Sequence, residues 1–192
     1  MMLSAQHEMI RDPVRKFARE ELAPHAARWD RESHFPREAL SGLARMGLYG
    51  VAVPEQWDGA GMDSTALALA IEEIAAGDGA TSTIVQVNNL VAGIVNGYGS
   101  AAQKERFLRP LARGEMLGAF CLTEPHTGSD AGAITTRAER TGDGYLINGV
   151  KQFITSGKNA DVAVVFAVSN RSAGRKGISA FLVPTGNPGY KV

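Results

Sequence analysis

The chain has 192 residues with 20 basic and 20 acidic side chains, giving a formal net charge of zero and an isoelectric point near 6.9, a balance that argues against nucleic acid or an anionic membrane as the main partner. Hydrophobic residues make up 44% and charged residues 21%, the proportions of a globular protein with a packed core in one large or two small domains. One cysteine excludes an internal disulfide framework and favours a cytoplasmic address, no apolar run is long enough to span a bilayer, and the opening Met-Met-Leu-Ser-Ala-Gln-His-Glu lacks the basic and apolar regions of a leader.

The first part of the chain reads as helical. Ile10, Val14, Phe17, Ala18 and Leu22 fall on one helix face. Pro13 either starts a new helix or kinks this one, and Pro24 is expected to end the segment. A second helix is predicted from Pro36 to Gly47, burying Leu40, Leu43 and Met46. Beyond Gly59 and Gly61, Asp63 or Ser64 caps a helix carrying Leu67, Ile71 and Ile74. Ala80 to Val95 is apolar almost all round and predicts a buried central helix. Ser100 and Gln103 form a capping box before Phe107 and Leu108, and Gly114 closes the helical half.

From Met116 the pattern changes to strands. Ile134, Thr136 and Ala138 alternate with Thr135, Arg137 and Glu139. Thr141-Gly142-Asp143-Gly144 predicts a hairpin turn into Tyr145 to Asn148. Val162 to Val168 and Ile178 to Val183 are β-rich runs flanking a polar, basic loop over Asn170 to Gly177. The chain therefore divides into an α-helical domain, 1–114, and a β-domain, 115–192. The fold class is α+β, with a helical bundle followed by a β-sandwich or partial barrel.

Two stretches of the β-half carry the chemistry. In Gly118 to Ala133, an apolar run from Ala119 to Leu122 ends in Thr123-Glu124-Pro125, and the polar loop Thr127-Gly128-Ser129-Asp130 follows. Pro125 favours an extended residue before it, and Gly128 permits a turn that other residues resist. Hydroxyls and free N–H groups are gathered there, where they can hold an anionic or heteroaromatic ligand. Further on, Asn148-Gly149-Val150-Lys151-Gln152-Phe153-Ile154-Thr155-Ser156-Gly157 reads as another strand, with an aromatic and a threonine two residues apart.

Together these stretches resemble the central β-domain of the acyl-CoA dehydrogenases, FAD enzymes that desaturate acyl-CoA thioesters. The resemblance continues through Lys176 to Pro184 and reaches back through Val51 to Glu55 and Gln103 to Leu108, so it covers essentially the whole chain. It implies that FAD is the cofactor, with Phe120, Leu122 and Thr123 beside the flavin and Gly128 shaping the loop. Ser129 would lie near both cofactor and substrate thioester. Phe153 would lie against the flavin ring, followed by Ile154, and Thr155 would donate towards the reactive edge. Two positions depart from the family pattern: Phe153 replaces the usual tryptophan, and Thr127 is bulkier than the usual small residue.

The resemblance also implies an acyl-CoA substrate, an electron-transferring flavoprotein as electron acceptor and a homo-oligomeric assembly. The family's catalytic base is usually a glutamate of a C-terminal helical bundle, so no residue here is assigned as catalytic. The chain reads as the N-terminal domain and most of the middle domain of that design, truncated before the bundle. Two alternatives stay open: a non-catalytic flavin- or acyl-CoA-binding module, or a related flavoenzyme such as a nitroalkane oxidase or flavin monooxygenase.

Other residues with reactive side chains read as structural. His126 is an exposed loop histidine, Cys121 a small buried hydrophobe, and Trp29 and Trp57 packing residues. Glu124 is expected to order its loop against a nearby lysine or arginine. Gln86 and Asn89 are placed near the wall of an acyl pocket lined by the central helix. No cluster has metal-ligand spacing and no Ser-His-Asp set is legible.

Overall fold

The computed structural model of the chain describes residues 3–192; Met1 and Met2, at the start of the segment read above for a leader, lie outside them. The chain forms two compact units, the first ending at Met116 and the second running Leu117–Val192.

In the first unit, α1 (Ala5–Phe17) starts at a capping box in which the Ser4 hydroxyl and the His7 ring each serve the other's backbone N–H. Pro13 lies within α1 without ending it. A wider π-helical turn, Ala18–Leu22, leads into α2 (Ala23–Glu32). The expected face is buried where it matters, at Val14, Ala18 and Leu22. Pro24 does not end the segment: it occupies the first turn of α2, where a missing N–H costs no intrahelical bond.

Helix α3 (Arg37–Arg45) follows Pro36, buries Leu40 and Leu43, and leaves Met46 half-buried. The long connection after it is packed rather than loose. Leu48, Tyr49, Val51 and Val53 are buried in it, and Gly59 approaches Val53 so closely that an added Cβ would stand 2.0 Å from the Val53 carbonyl oxygen. Asp63 caps α4 (Ser64–Gly77), and Asp78 caps α5 (Gly79–Tyr98).

Helix α5 is buried on one face, through Val85, Asn88, Asn89, Val91, Ala92 and Val95, while Gln86 and Leu90 are exposed. Its composition is apolar all round, but in this unit its burial is one-sided. The Ser100–Gln103 capping box opens α6 (Ala101–Gln103), which passes through a second π-turn, Lys104–Leu108, into α7 (Arg109–Arg113). Gly114, with φ +72°, ends it in the left-handed conformation that favours glycine.

The second unit is built on a mixed five-stranded sheet whose hub is β4 (Val162–Val168). One edge of β4 pairs along its full length with antiparallel β5 (Ile178–Pro184), from Val162 opposite Pro184 to Val168 opposite Ile178. The other edge is shared. Its first half pairs in parallel with β1 (Gly118–Cys121), and at Val168 it meets Arg137 of β2 (Arg137–Thr141). Strand β2 continues into β3 (Gly144–Asn148) through the expected two-residue turn, with Gly142 at φ +58°. Val162, Ala163, Val164, Val165 and Ala167 are all buried, as a strand enclosed on both faces requires.

One expected strand is absent from the described residues. Beyond Asn148, residues 149–157 form an irregular, turning segment. The reason lies in the backbone: Phe153 and Ser156 take φ values of +57° and +59°, a left-handed conformation that breaks an extended ladder.

Candidate functional site

Beyond β1 the chain turns over on itself at Glu124. The Glu124 and Thr127 backbones exchange hydrogen bonds of 2.9 and 3.1 Å, closing a turn around Pro125 and His126. The Thr127 hydroxyl then donates to the Asp130 carbonyl at 2.7 Å, and Asp130 accepts the Gly132 N–H through its side chain.

The Glu124 side chain points inward and is 2% exposed. Its Oε2 accepts the Thr135 N–H at 2.7 Å and the Thr135 hydroxyl at 2.9 Å. Its Oε1 accepts the Thr136 N–H at 2.9 Å and the Lys151 ammonium at 2.8 Å. Lys151, itself 10% exposed, also donates to the Leu122 carbonyl at 2.9 Å. Burial opposes ionisation of this carboxyl, but the Lys151 ammonium and the backbone donors outweigh it and hold Glu124 well below the usual carboxylate range. The expected cationic partner of Glu124 is thus Lys151.

The two sequence stretches meet. The Gln152 N–H donates to the Thr123 carbonyl at 2.9 Å, joining the strand-end segment to residues 151–155. Phe120 is half-buried with its ring edge-on to Phe166 at 5.2 Å. Leu122 and Thr123 are half-buried, and Thr155 likewise. Ile154 packs on the buried cluster of Ala119, Cys121, Ala160, Ala163 and Val165. Phe153 is turned the other way and is 86% exposed. Gly128 and Ser129 ride on the exposed loop, and the junction itself is made by Thr123 and Gln152.

Gly128 behaves differently from expectation. It is not among the residues at positive φ, and an added Cβ would meet Thr123 Cγ2 at an ordinary 3.6 Å. The turn is made instead by the Glu124–Thr127 pairing and by Pro125. The position that does demand glycine is Gly149, where a Cβ would lie 2.3–2.7 Å from Thr136.

The remaining reactive side chains are spoken for. His126, about half exposed, places Nε2 3.2 Å from the Ala133 carbonyl, to which it donates, and 3.8 Å from Glu124. Burial pushes the Cys121 thiol up, which disfavours the nucleophilic thiolate. Burial also raises the Tyr190 hydroxyl to about 12, and that hydroxyl donates to the Gly157 carbonyl at 2.9 Å. In the first unit, Trp29 lies between His25 and His34, and Trp57 lies under Arg109. Asn89 is buried with its amide committed to backbone groups of Leu48, Val51 and Val85, so it belongs to the core rather than to a pocket wall. Among the described residues, no three His, Cys, Asp or Glu side chains gather as a metal site.

Sequence reasoning did not single out Lys151 or the Thr135–Thr136 amides. The signal for Lys151 was an ammonium inside an otherwise uncharged stretch, two residues before Phe153. Ser156 adds a buried hydroxyl that has no hydrogen-bond partner among the described residues. The exposed Phe153 ring and the half-buried Thr123 and Thr155, tied into one region by the Gln152–Thr123 hydrogen bond, supply the apolar face and hydroxyl donors that a planar heteroaromatic group such as a flavin requires.

Residues 4–115 match the family profile "Acyl-CoA dehydrogenase, N-terminal domain", and residues 119–192 match "Acyl-CoA dehydrogenase, middle domain". The chain is 44% identical over 188 residues to the mitochondrial short-chain specific acyl-CoA dehydrogenase of Rattus norvegicus, covering 97% of this chain and 46% of that protein. It is similar to a solved glutaryl-CoA dehydrogenase from Mycobacterium smegmatis in complex with FADH2, with TM-score 0.90 and 34% identity over 97% of this chain and 47% of the other. It is also similar to a chain in a structure described as "Electron transferring flavoprotein of Acidaminococcus fermentans: Towards a mechanism of flavin-based electron bifurcation", with TM-score 0.94 and 38% identity over 98% and 50% of the two chains. The chain spans about half the length of the relatives it matches.

Proposed function

The chain belongs to the acyl-CoA dehydrogenase family, and on that premise we propose that it forms the helical and β-portion of an FAD-dependent enzyme that desaturates acyl-CoA thioesters between the α and β carbons. Homologues in this family bind FAD. The observation that carries the reading is the hydrogen bond from Gln152 to Thr123, which ties the end of β1 to the segment that bears the exposed Phe153 ring and the half-buried Thr155.

In this reading Phe153 supplies contact for the flavin face, together with Phe120 and Leu122, while Ile154, packed on the core, anchors Phe153 from the other side. Thr123 and Thr155 supply hydroxyl donors for its polar edge. Gly128 and Ser129 line the loop towards the thioester. Bound FAD would supply the acceptor for a β-hydride, and the protein's part here is to hold and orient it. Removing the α-proton requires a positioned carboxylate. Glu124 is unsuited to that task because its oxygens are occupied by four donors and it is held ionised by them. We therefore assign no catalytic base to these 192 residues.

The proposal extends to an electron-transferring flavoprotein as acceptor, which the likeness to the Acidaminococcus fermentans structure supports, and to a homo-oligomer. It also includes a reducing, cytoplasmic setting, supported by a lone buried cysteine. The test is Thr155→Val in FAD-loaded protein. The flavin absorbance or its rate of reduction is expected to change while the circular dichroism does not. An unchanged spectrum together with an unchanged reduction rate would remove Thr155 from the site.

A further inference from the structure

We infer that the Glu124–Lys151 pair is a positioning joint that holds Phe153 to Thr155 in the conformation that faces the cofactor; the inference rests on the FAD reading above. The carboxylate gathers donors from separate segments, Thr135 and Thr136 on one side and Lys151 on the other. Lys151 sends a second hydrogen bond to Leu122, and its neighbour Gln152 bonds Thr123. Three stretches of chain are thereby tied to one buried charge. His126 is the other titratable group facing this carboxylate, at 3.8 Å and about half exposed.

What the joint holds is a conformation that Phe153 would not choose by itself. A non-glycine residue at φ +57° is disfavoured and persists only where its surroundings over-determine it. The surroundings here are two anchors. On one side stand Lys151 and Gln152, and on the other Ile154 is packed into the core while its carbonyl accepts the Gly157 N–H at 3.1 Å. Release of the first anchor lets Phe153 relax towards an extended conformation and moves the ring.

Buried pairs behave asymmetrically. Removing one partner strands the other charge, whereas removing both does not. Lys151→Met, Glu124→Gln and the double variant therefore form an informative cycle in the full chain. Two readouts are needed: amide hydrogen exchange without cofactor, and FAD titration followed by the shape of the flavin absorbance.

In each single variant, the Gln152, Thr135 and Thr136 amides are expected to lose protection while the β4 amides keep theirs. FAD affinity should fall on the order of tenfold or more, as when a charge-assisted hydrogen bond is lost. The double variant should be no worse than the worse single one. Losses that simply add, or exchange that does not change, overturn the joint. Loosened exchange with FAD bound as before overturns its positioning role. If β4 loses protection in both single variants, Lys151→Arg, which keeps the charge, is read for rescue of FAD affinity. Rescue supports the joint, and failure to rescue marks the pair as a core support only. If the unaltered chain takes up no FAD, the FAD reading fails by itself, and the exchange pattern still decides whether the pair orders the segment.

Discussion

Asn89 and Glu124 are buried polar groups that tie together segments distant in sequence, Asn89 through the backbone of Leu48 and Val51 and Glu124 through the Thr135 and Thr136 amides, the Thr135 hydroxyl and the Lys151 ammonium, and each is costly to remove for that reason. The Asn89 amide donates to the Leu48 and Val85 carbonyls at 2.7 and 3.0 Å and accepts the Val51 N–H at 3.1 Å. Asn89→Ala leaves the Val51 N–H and Leu48 carbonyl unpaired away from water. Each such group costs about 1–3 kcal/mol, so we expect destabilisation of about 2–4 kcal/mol after relaxation. Urea melts of the two proteins check this; a midpoint unchanged within error would mean that water replaces the amide. The sequence placed Asn89 on a helix but not its role, because a polar residue in an apolar helix looks the same whether it faces a ligand or a buried loop. Glu124 was legible as a loop organiser, since a carboxylate between Thr123 and Pro125 needs a partner once buried. Its partner, 27 residues further on, is fixed by tertiary structure alone.

At the scale of elements, legibility followed the strength of the local code. The caps at Asp63 and Ser100, the stop at Gly114, the β2–β3 turn and strand β4 all have residue signatures, and all appear where those signatures stand. The π-turns at Ala18–Leu22 and Lys104–Leu108 do not, because they keep the apolar spacing of an ordinary helix. Residues 149–157 read as a strand because Val150, Phe153, Ile154 and Thr155 are strand formers, and no residue type announces a left-handed phenylalanine. Two glycines separate backbone conformation from crowding. Gly142 stands at φ +58° with open space around a would-be Cβ, so Gly142→Ala should cost only the left-handed penalty, about 1 kcal/mol. For Gly149 the obstacle is Thr136 at 2.3–2.7 Å, and Gly149→Ala should cost distinctly more by forcing Thr136 away from Glu124. Thermal unfolding of both variants orders them, and the reverse order would place the constraint in the turn instead.

For the whole molecule, the decisive question is whether these 192 residues carry out the proposed desaturation unaided. The carboxylates of the second unit are Glu124, Asp130, Glu139, Asp143 and Asp161. Glu124 is saturated with donors, Asp130 is bound to the Gly132 N–H and Arg175, and Asp161 holds the Leu117 N–H at 2.8 Å. Glu139 and Asp143 belong to the exposed β2–β3 hairpin. None is free beside Phe153 and Thr155 to take a proton from carbon. A general base is worth about a hundredfold to ten-thousandfold, and imperfect placement of reacting atoms costs about another hundredfold. Incubated with FAD, a panel of acyl-CoA thioesters and an artificial electron acceptor, the purified chain should therefore reduce the dye at least about a hundredfold more slowly than a full-length relative. Uptake of FAD with its absorbance perturbed, but without turnover, would agree with a cofactor-holding portion. Sustained dye reduction at the rate of the relative, with no second protein present, would mean that a carboxylate of this chain, one of these five or one of the first unit, acts as the base.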